Sequence, residues 1–420
     1  MNKLTEVAAG TLDPSFGDNG VVDLVSDGDR SVPHSILALP NGKLIYANGD
    51  HTDSQNALRL RRVNANGFFD SSFGENGTVT LRIGWNTAPR FGLFSYLADK
   101  FLVKGTHLSE DGQRDMVFAR LDLDGRIDAT FGADGFVRIE PYDLIYPSAA
   151  KPKSEHAVRN PTPAYNYIGG SVCVQPDGKI LVAHSGIRDA EDRNNGMVFR
   201  LMPDGSVDKT FNGAGVLLIK LNGDNAEGNE AISIALQKDG AFLVCGAFVV
   251  GKTVSSYITR YKENGELDSS FNSGRPVIIT DPNFGMITAA TISVRESDGE
   301  IVVVGTAYDK WSATPSSKTP WIAVLSTGGS FSLLFNNGKP LFAGALPADS
   351  WWRNCAWQED GNAVLVSGSV VARYLLSGLL DPSFNDKGWN SHRNSYQDMV
   401  VTNDRKLVLI GQRSLLRYLT

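Results

Sequence analysis

Short runs rich in Val, Ile, Leu and Phe alternate with Gly-containing turns along almost the whole chain. In the first copy of this pattern the runs cover Ser35–Leu39, Lys43–Asn48, Ala57–Val63 and Thr78–Ile83, which we label strands a, b, c and d. Apolar runs bounded by Asn-Gly or Asp-Gly pairs are typical of β-strands joined by tight hairpins. No long stretch of helical periodicity intervenes, so the pattern disfavours a parallel α/β fold.

The pattern occurs in seven copies, which share three phrases. The anchor phrase reads GTLDPSFGDNG at 10–20, GFFDSSFGENG at 67–77 and GRIDATFGADG at 125–135. Two other phrases, typified by DGKILVAHSG at 177–186 and VFARLDLDG at 117–125, also occur seven times. Four antiparallel strands repeated in this way predict an all-β fold, a seven-bladed β-propeller of four-stranded antiparallel blades.

Each anchor phrase contains a phenylalanine, and in every copy but the sixth an aspartate precedes it by three positions. The phenylalanines are Phe16, Phe73, Phe131, Phe211, Phe271, Phe335 and Phe384. The aspartates are Asp13, Asp70, Asp128, Asp208, Asp268 and Asp381. We expect each phenylalanine to fill the wedge between blades, where full burial contributes about 1.5–3 kcal/mol. The aspartates are expected to accept hydrogen bonds from backbone N–H groups of the turn.

We predict a single β-propeller domain over residues 1–420 and number its repeats 1 to 7 in chain order. The blades are expected at about 31–85, 89–140, 167–221, 229–281, 286–346, 350–393, and 394–420 plus 10–26. Residues 141–166 form an insertion between repeats 2 and 3.

Repeat 7 is incomplete at the C-terminus, where strands a, b and c are predicted at Tyr396–Val401, Lys406–Ile410 and Leu415–Tyr418. The missing anchor and strand d stand at the start of the chain, at Gly10–Gly20 and Val21–Val25. An open ring would expose two unmatched blade faces and an incomplete outer edge. We therefore expect the N-terminal strand to complete the last blade and close the ring.

The three phrases resemble the bacterial delta-60 repeat family, whose pattern runs close to PDGKILVAG … RLNADGSLDxSFG. The resemblance extends from about Gly10 to Tyr418, and it implies a seven-bladed propeller without a chemistry shared across the family. The sequence departs from the family pattern where the a–b turn loses its glycine, at Ala98–Asp99 and Asp404–Arg405, and where the sixth anchor lacks its acid.

Composition and charge narrow the class of partner. The chain has 420 residues, is 42% hydrophobic and 20% charged, and carries a net charge of −6, which suits a folded protein with a large core. No cluster of Lys and Arg stands out, so nucleic acid is not expected as a partner. The longest apolar run, 241–251, is too short to span a bilayer.

Three cysteines, Cys173, Cys245 and Cys355, fall in predicted strands of different repeats. Their odd number and wide spacing favour buried free thiols over a disulfide framework or a zinc site. The N-terminal residues lack the apolar core of a secretory signal. We therefore expect a cytoplasmic protein, or one exported without a classical signal peptide.

Loop lengths indicate which face of the disc carries function. The a–b and c–d turns are short and uniform, whereas the b–c and d–a connections on the opposite face vary widely, the longest being 141–167. Irregular loops on a rigid scaffold are where binding residues tend to lie. Aromatic residues in or beside these loops are the candidate ligand-binding residues: Trp85, Tyr142, Tyr146, Tyr165, Tyr167, Tyr308, Trp311, Trp321, Trp351 and Trp352.

Exposed Trp and Tyr side chains suit stacking on sugars or anchoring a protein partner. The alternative is that these side chains fold down to close the channel mouth or to pack the insertion. The leading hypothesis is a non-catalytic binding module that recognises a glycan or a protein partner through the face carrying the b–c and d–a loops.

Two alternatives remain open. One is a propeller-type hydrolase or lyase with a polar or metal site at the channel mouth, which converging carboxylates in the axial channel would favour. The other is a structural or toxin-associated subunit whose loops dock another chain.

Catalytic motifs give the enzyme alternative little support. The sequence has no G-x-S-x-G, H-E-x-x-H, P-loop or paired C-x-x-C motif, and no cofactor is expected. The weak candidates for a metal or acid–base site are polar residues after strand b: Asp50, His51, His107, His184, Asp189, Glu191 and Asp192. Imidazole and carboxylate groups can bind a cation, but solvated loop side chains are the alternative for all of them.

Overall fold

The computed structural model describes most of the chain. The described residues are 8–24, 32–49, 57–82, 91–108, 114–146, 171–188, 194–221, 228–309, 317–343, 345–358, 363–391 and 395–420. Structural statements below concern these residues.

The strands follow the repeats, and each repeat contributes its strands in chain order. The N-terminal strand is β1 (Val21–Asp23). Repeat 1 forms β2 (Pro33–Ala38), β3 (Leu44–Gly49), β4 (Leu58–Val63) and β5 (Thr78–Leu81). Repeat 2 forms β6 (Phe91–Tyr96), β7 (Lys100–Leu108), β8 (Arg114–Asp122) and β9 (Phe136–Ile139), and a short helix α1 (Pro141–Ile145) follows it. Repeat 3 forms β10 (Val172–Val174), β11 (Ile180–Arg188), β12 (Asn194–Leu201) and β13 (Val216–Leu218).

The second half of the chain continues the same order. Repeat 4 forms β14 (Gly228–Leu236), β15 (Phe242–Val250), β16 (Thr253–Tyr261) and β17 (Val277–Ile279). Repeat 5 forms β18 (Met286–Val294), β19 (Ile301–Tyr308), β20 (Lys318–Leu325) and β21 (Leu341–Phe342). Repeat 6 forms β22 (Trp352–Gln358), β23 (Ala363–Gly368), β24 (Val371–Leu375) and β25 (Trp389–Asn390). Repeat 7 forms β26 (Tyr396–Val401), β27 (Leu407–Gly411) and β28 (Ser414–Tyr418). Short 3₁₀ turns stand at Phe211–Gly213 and Phe271–Gly274.

The strands pair into five separate four-stranded sheets and one sheet of eight strands. The prediction of an all-β propeller built from small antiparallel four-stranded sheets is confirmed. The expected separation into seven sheets is not met between repeats 4 and 5, because a parallel bridge between Val254 and Met286 joins β16 to β18. On either side of that bridge the pairs β14–β15–β16 and β18–β19–β20 remain antiparallel.

Strand β1 lies in the same sheet as the three C-terminal strands. Val21, Val22 and Asp23 pair antiparallel with Leu416, Leu415 and Ser414 of β28. The backbone of the N-terminal anchor continues this contact, since Asp13 N donates to the Arg417 carbonyl oxygen at 2.8 Å. The two ends of the described chain are thus hydrogen-bonded to each other.

The anchor phenylalanines lie in the core between neighbouring repeats, as their wedge role predicts. All seven are at most 2% exposed. Phe73 of repeat 1 packs beneath the c–d turn of repeat 2, where Gly125 has a φ of +85° and an added Cβ would lie 2.8 Å from the Phe73 ring. Only glycine fits such a position without displacing the ring.

An arginine on strand c binds the anchor aspartate, and in repeats 1–4 and 6 it stands eight residues before that aspartate. Arg62 Nε donates to Asp70 Oδ2 at 2.7 Å, and Arg200 Nε donates to Asp208 Oδ2 at 2.7 Å. The same ion pair joins Arg120 to Asp128, Arg260 to Asp268, Arg373 to Asp381 and Arg417 to Asp13. We call each of these buried ion pairs an anchor latch.

The anchor latch also tethers one repeat to the next. Arg62 Nη1 donates to the Leu123 carbonyl oxygen of repeat 2 at 2.5 Å, and Arg200 Nη1 donates to the Glu263 carbonyl oxygen of repeat 4 at 2.6 Å. The aspartates bind their own turns as expected, because Oδ1 accepts from the backbone N–H two residues later, for example Ser72 N on Asp70 at 3.1 Å.

Repeat 5 contains the sixth anchor phrase, which lacks the aspartate. Other contacts take the place of the anchor latch in this repeat. Ser332 stands at the aspartate position, and its hydroxyl donates to Glu300 Oε1 at 3.0 Å. Glu300 in turn accepts from Arg295 Nη2 at 2.7 Å, and the Arg295 guanidinium lies 4.5 Å from the Trp357 ring centroid. A different arginine therefore supplies the buried cation in this repeat.

The three cysteines are free, with Cys245 and Cys355 buried and Cys173 half-buried, and burial raises the pKa of Cys245 to about 12.

Among the described residues no helix is long and apolar enough to cross a membrane.

Candidate functional site

The first strands of the repeats surround a cavity of about 260 Å³. Its lining comes from β2, β6, β14, β18, β22 and β26 together with Ser171, which directly precedes β10, so every repeat contributes to it. Polar side chains make up about half of the lining: Ser35, Ser171, Ser233, Thr291, Arg353, Asn354, Gln397 and Asp398. We call this space the axial cavity.

Bulges in the first strands bring these side chains to the axis. The register of β2, β14, β18, β22 and β26 shifts immediately before Ser35, Ser233, Thr291, Asn354 and Asp398, respectively. A β-bulge leaves one residue without a cross-strand partner and re-aims the side chains around it. Arg353 and Gln397 are the extra residues of their bulges, and both line the axial cavity.

Hydroxyl groups of the axial cavity connect neighbouring repeats. Ser35 Oγ accepts from Leu93 N at 3.1 Å, and Ser171 Oγ accepts from Ile234 N at 2.7 Å. The hydroxyl of Thr291 donates to the Arg353 carbonyl oxygen at 2.6 Å. Part of the polar lining therefore has a structural role, because it satisfies backbone groups at the narrow centre of the ring.

Asp398 carries the negative charge of the axial cavity. Its Oδ2 accepts from Ser35 Oγ at 2.7 Å and from Ile36 N at 3.0 Å, and its Oδ1 accepts from Met399 N at 2.9 Å. Burial raises the pKa of Asp398 above the ordinary 3.8, although these hydrogen bonds and the charge of Arg353 oppose the shift. A carboxyl group with a raised pKa at the centre of a fold is a candidate functional group.

Arg353 carries the positive charge of the axial cavity. Its Nη1 donates to Gln397 Oε1 at 2.6 Å, and its guanidinium lies 5.2 Å from the ring centroid of Trp351. Asn354 stands next to it and directs Nδ2 toward Ser367 Oγ at 3.4 Å. Guanidinium, two carboxamides and a carboxylate thus meet on one wall of the cavity, where they can recognise a polar group.

A second, apolar cavity of about 500 Å³ lies at the other end of the first strands. Its lining includes Leu37, Leu97, Val174 and Leu236, which come later in their repeats than the residues of the axial cavity. The first strands end there in the a–b turns. The polar axial cavity therefore lies toward the opposite face, which carries the b–c and d–a connections.

Four predicted ligand-binding aromatics are buried. Trp321 and Trp352 are at most 1% exposed and belong to β20 and β22, where the sequence analysis placed them in or beside loops. Trp321 Nε1 donates to the Thr288 carbonyl oxygen at 3.2 Å. Tyr308 ends β19, and Tyr142 packs from α1 against the core between repeats 2 and 3. Their burial corrects the expectation that these four rings are exposed for stacking.

Trp351 and Tyr146 keep part of their surface exposed. Trp351 contacts the guanidinium of Arg353, a residue that lines the axial cavity, and its role in binding stays a prediction. Tyr146 packs against Tyr142, with ring centroids 5.0 Å apart, and against the core between repeats 2 and 3, which matches the alternative that such side chains have a packing role. Trp85, Tyr165, Tyr167 and Trp311 lie outside the described residues.

The predicted metal candidates do not converge in the described part of the chain. Asp50, His51, Asp189, Glu191 and Asp192 lie outside it, and His107 belongs to β7. His184 is 0% exposed within β11, with its ring 6.1 Å from that of Phe199, so it is a core residue rather than the exposed loop residue expected. No group of three or more His, Cys, Asp or Glu side chains that could hold a metal occurs among the described residues.

Sequence reasoning missed both the anchor-latch arginines and the polar wall of the axial cavity. The arginines were visible, because RVNANGFFD, RLDLDGRID and RLMPDGSVD each start with one. The cavity residues had no such signal, since the equivalent positions carry Ser35, Ser233, Thr291, Asn354 and Asp398 and share no motif.

Comparison with protein families gives one match in four segments. Residues 39–73, 100–131, 175–211 and 237–271 match a family described as "Domain of unknown function (DUF5122) beta-propeller". Each segment runs from the second strand of a repeat to its anchor phrase. A comparison with curated protein sequences finds no significant match.

Solved structures resemble the fold at low sequence identity. A catalytically inactive virginiamycin B lyase from Staphylococcus aureus with quinupristin has a TM-score of 0.50 and 12% identity, over 95% of this chain and 99% of that one. An alpha-L-arabinanase from Penicillium chrysogenum complexed with arabinobiose has a TM-score of 0.47 and 11% identity, over 98% and 96% of the two chains. Identities this low show similarity of fold alone. Together with the strand pairing, the family match supports a β-propeller fold.

Proposed function

We propose that the protein is a non-catalytic binding module that recognises a glycan or a protein partner through the face carrying the b–c and d–a loops. The axial cavity would receive one polar group of that ligand. The scaffold would be a seven-bladed propeller of the delta-60 type, closed by the N-terminal strand.

The proposed blade count and closure rest on the strand pairing and the anchor latches. A single bridge, Val254 with Met286, joins the two halves of the eight-stranded sheet, so each half can be counted as one blade. For repeat 7, β1 supplies the fourth strand, and Arg417 forms its latch with Asp13 from the other end of the chain.

The observation that carries the choice of binding over catalysis is the lone carboxylate. Among the described residues that line the axial cavity, Asp398 is the one acidic side chain. Glycoside hydrolysis generally uses two carboxyl groups that flank the scissile bond. The three hydrogen bonds that Asp398 accepts from Ser35, Ile36 and Met399 also hold it in place as part of the scaffold.

A hydrolase or lyase is the second candidate, and the raised pKa of Asp398 is the observation that favours it. A carboxyl group that stays protonated at a higher pH than usual can serve as a general acid. This candidate predicts cleaved ligand, whereas a binding module returns the ligand unchanged.

A glycan array followed by mass spectrometry of the bound ligand tests the proposal. Trp351→Ala should abolish binding, because Trp351 lies beside the axial cavity. Trp389→Ala is the matched control, since Trp389 is also half-buried but belongs to the outer strand β25. Equal binding by both variants, or a cleaved glycan, would refute the non-catalytic site at the axis.

A further inference from the structure

We propose that the axial cavity admits one uncharged, hydroxyl-rich group, the terminal residue of a neutral glycan, and that Arg353 and Asp398 together exclude acidic and basic sugars. This inference rests on the proposed binding function and specifies its ligand class.

The size of the axial cavity limits the ligand to one small group. Its volume of about 260 Å³ lies below the range of about 300–1,000 Å³ typical of pockets that enclose a whole small molecule. One sugar ring, rather than a stretch of oligosaccharide, therefore matches the space. The remainder of a longer glycan would lie on the loop face.

The charges of the axial cavity balance. Arg353 from repeat 6 and Asp398 from repeat 7 are the charged residues in its described lining, and the two attract each other. A ligand carboxylate would gain from Arg353 but meet Asp398, and a ligand ammonium would gain from Asp398 but meet Arg353. Attraction and repulsion therefore offset each other, and a charged ligand group does not recover its cost of leaving water, which is smaller for a neutral hydroxyl group.

The neutral polar groups of the axial cavity suit hydroxyl groups. A sugar hydroxyl both donates and accepts, and a carboxamide offers two N–H donors and a carbonyl acceptor. Gln397 lines the cavity and uses its Oε1 to accept from Arg353, a bond that does not engage its Nε2 donors. Asn354 adds a second carboxamide, and the apolar side chains of Leu93 and Phe94 in the same lining provide contact for the C–H face of a sugar ring.

Removing one charge at a time should shift the preference in opposite directions. Asp398→Asn removes the negative charge of the described lining, so the variant should bind glycans ending in glucuronic acid. Arg353→Gln leaves the Asp398 charge alone, so it should bind glycans ending in unacetylated glucosamine. In each variant, the affinity for the charged glycan relative to the glucose-terminated glycan should rise at least about tenfold. This size is expected of Coulomb interactions at a few ångströms in a partly buried site.

The experiment compares the full-length protein and the two variants on matched glucose-, glucuronic acid- and glucosamine-terminated oligosaccharides. The wild-type protein should bind the glucose-terminated glycan at least about tenfold more tightly than either charged one, a result that does not depend on whether the variants fold. Equal binding of all three by the wild-type protein would overturn the charge filter and leave the binding function intact. Lack of binding to every oligosaccharide by the wild-type protein would overturn the neutral-glycan ligand and leave a protein partner as the ligand of the proposed binding module.

Discussion

Arg417 Nε donates a hydrogen bond to Asp13 Oδ2 at 2.9 Å, although the two residues are 404 positions apart in the chain. The same ion pair joins an arginine and an aspartate eight residues apart within other repeats, as between Arg200 and Asp208. The ends of the chain are thus connected by the contact that elsewhere stabilises a single repeat. In the proposed closed ring, the loss of this ion pair should affect the whole propeller rather than one turn.

The first prediction concerns this ion pair. Asp13→Asn should lower the free energy of unfolding by about 3–5 kcal/mol, because it leaves the buried guanidinium of Arg417 without its counter-charge. The matched control is Asp208→Asn, which breaks the latch between Arg200 and Asp208 inside repeat 3. Urea unfolding measures both. A large loss for Asp208→Asn with an unchanged stability for Asp13→Asn would contradict the closure of the ring.

The second prediction is acid sensitivity. Burial alone would raise the pKa of Asp13, but hydrogen bonds from Lys406 and Ser15 and the charge of Arg417 outweigh it and lower the pKa to about 2. Asp70, Asp128, Asp208, Asp268 and Asp381 are shifted in the same direction. Because the folded state holds these carboxylates ionised below the ordinary pKa of 3.8, their stabilisation is present above that pH and is lost as the pH falls toward 2.

The melting temperature measured from pH 6 to pH 2 tests this expectation. It should fall steeply below about pH 4, and the Asp208→Asn variant, with one latch carboxylate fewer, should show a shallower fall. A melting temperature independent of pH across this range would show that the anchor latches do not hold ionised carboxylates.

The third prediction separates core tryptophans from binding ones. Trp321→Ala and Trp352→Ala should each lower the free energy of unfolding by about 3–5 kcal/mol, because both rings are fully buried and their removal leaves a cavity. Trp351→Ala should cost less, since this ring is only half-buried. Denaturant unfolding measures the difference. Equal and small losses for all three variants would contradict the packing of β20 and β22.

The fourth prediction is a pH dependence of ligand choice. Burial raises the pKa of Asp398. On acidification, its carboxylate is therefore neutralised at a higher pH than the carboxylate of an ordinary aspartate. Arg353, the other charged residue in the described lining, then leaves the cavity with a net positive charge. Affinity for glucuronic acid-terminated glycans should therefore rise on acidification in the wild-type protein, and stay constant in Asp398→Asn. Titration calorimetry at several pH values gives both curves.

Much of the fold could be predicted because its signals are local and repeated. The pattern placed strand b of repeat 1 at Lys43–Asn48, and the structure has Leu44–Gly49. Asx-Gly turns and apolar runs specify such hairpins without tertiary information. The joining of repeats 4 and 5 could not be foreseen, since it depends on one bridge between Val254 and Met286.

Most residues of the axial cavity could not be predicted from the sequence. Trp321 and Trp352 were assigned to the binding face because strands β20 and β22 extend further than their apolar runs suggested. Arg353 and Gln397 reach the axis because a bulge displaces them, and no residue pattern marked those bulges. The anchor aspartates were recognised as structural, but their arginine partners were overlooked. In five repeats the arginine stands eight residues before the aspartate, as Arg62 does before Asp70.

Glycan-array binding by Gln397→Leu measures recognition at the axial cavity. Leu97→Ala is the control, because Leu97 lines the apolar cavity at the other end of the first strands. Gln397→Leu should bind the glycan at least about tenfold more weakly than the wild-type protein, because a hydrogen bond in a buried site contributes about that much affinity. Leu97→Ala should bind it as tightly as the wild-type protein. Undiminished binding by Gln397→Leu would place the ligand elsewhere and contradict the account.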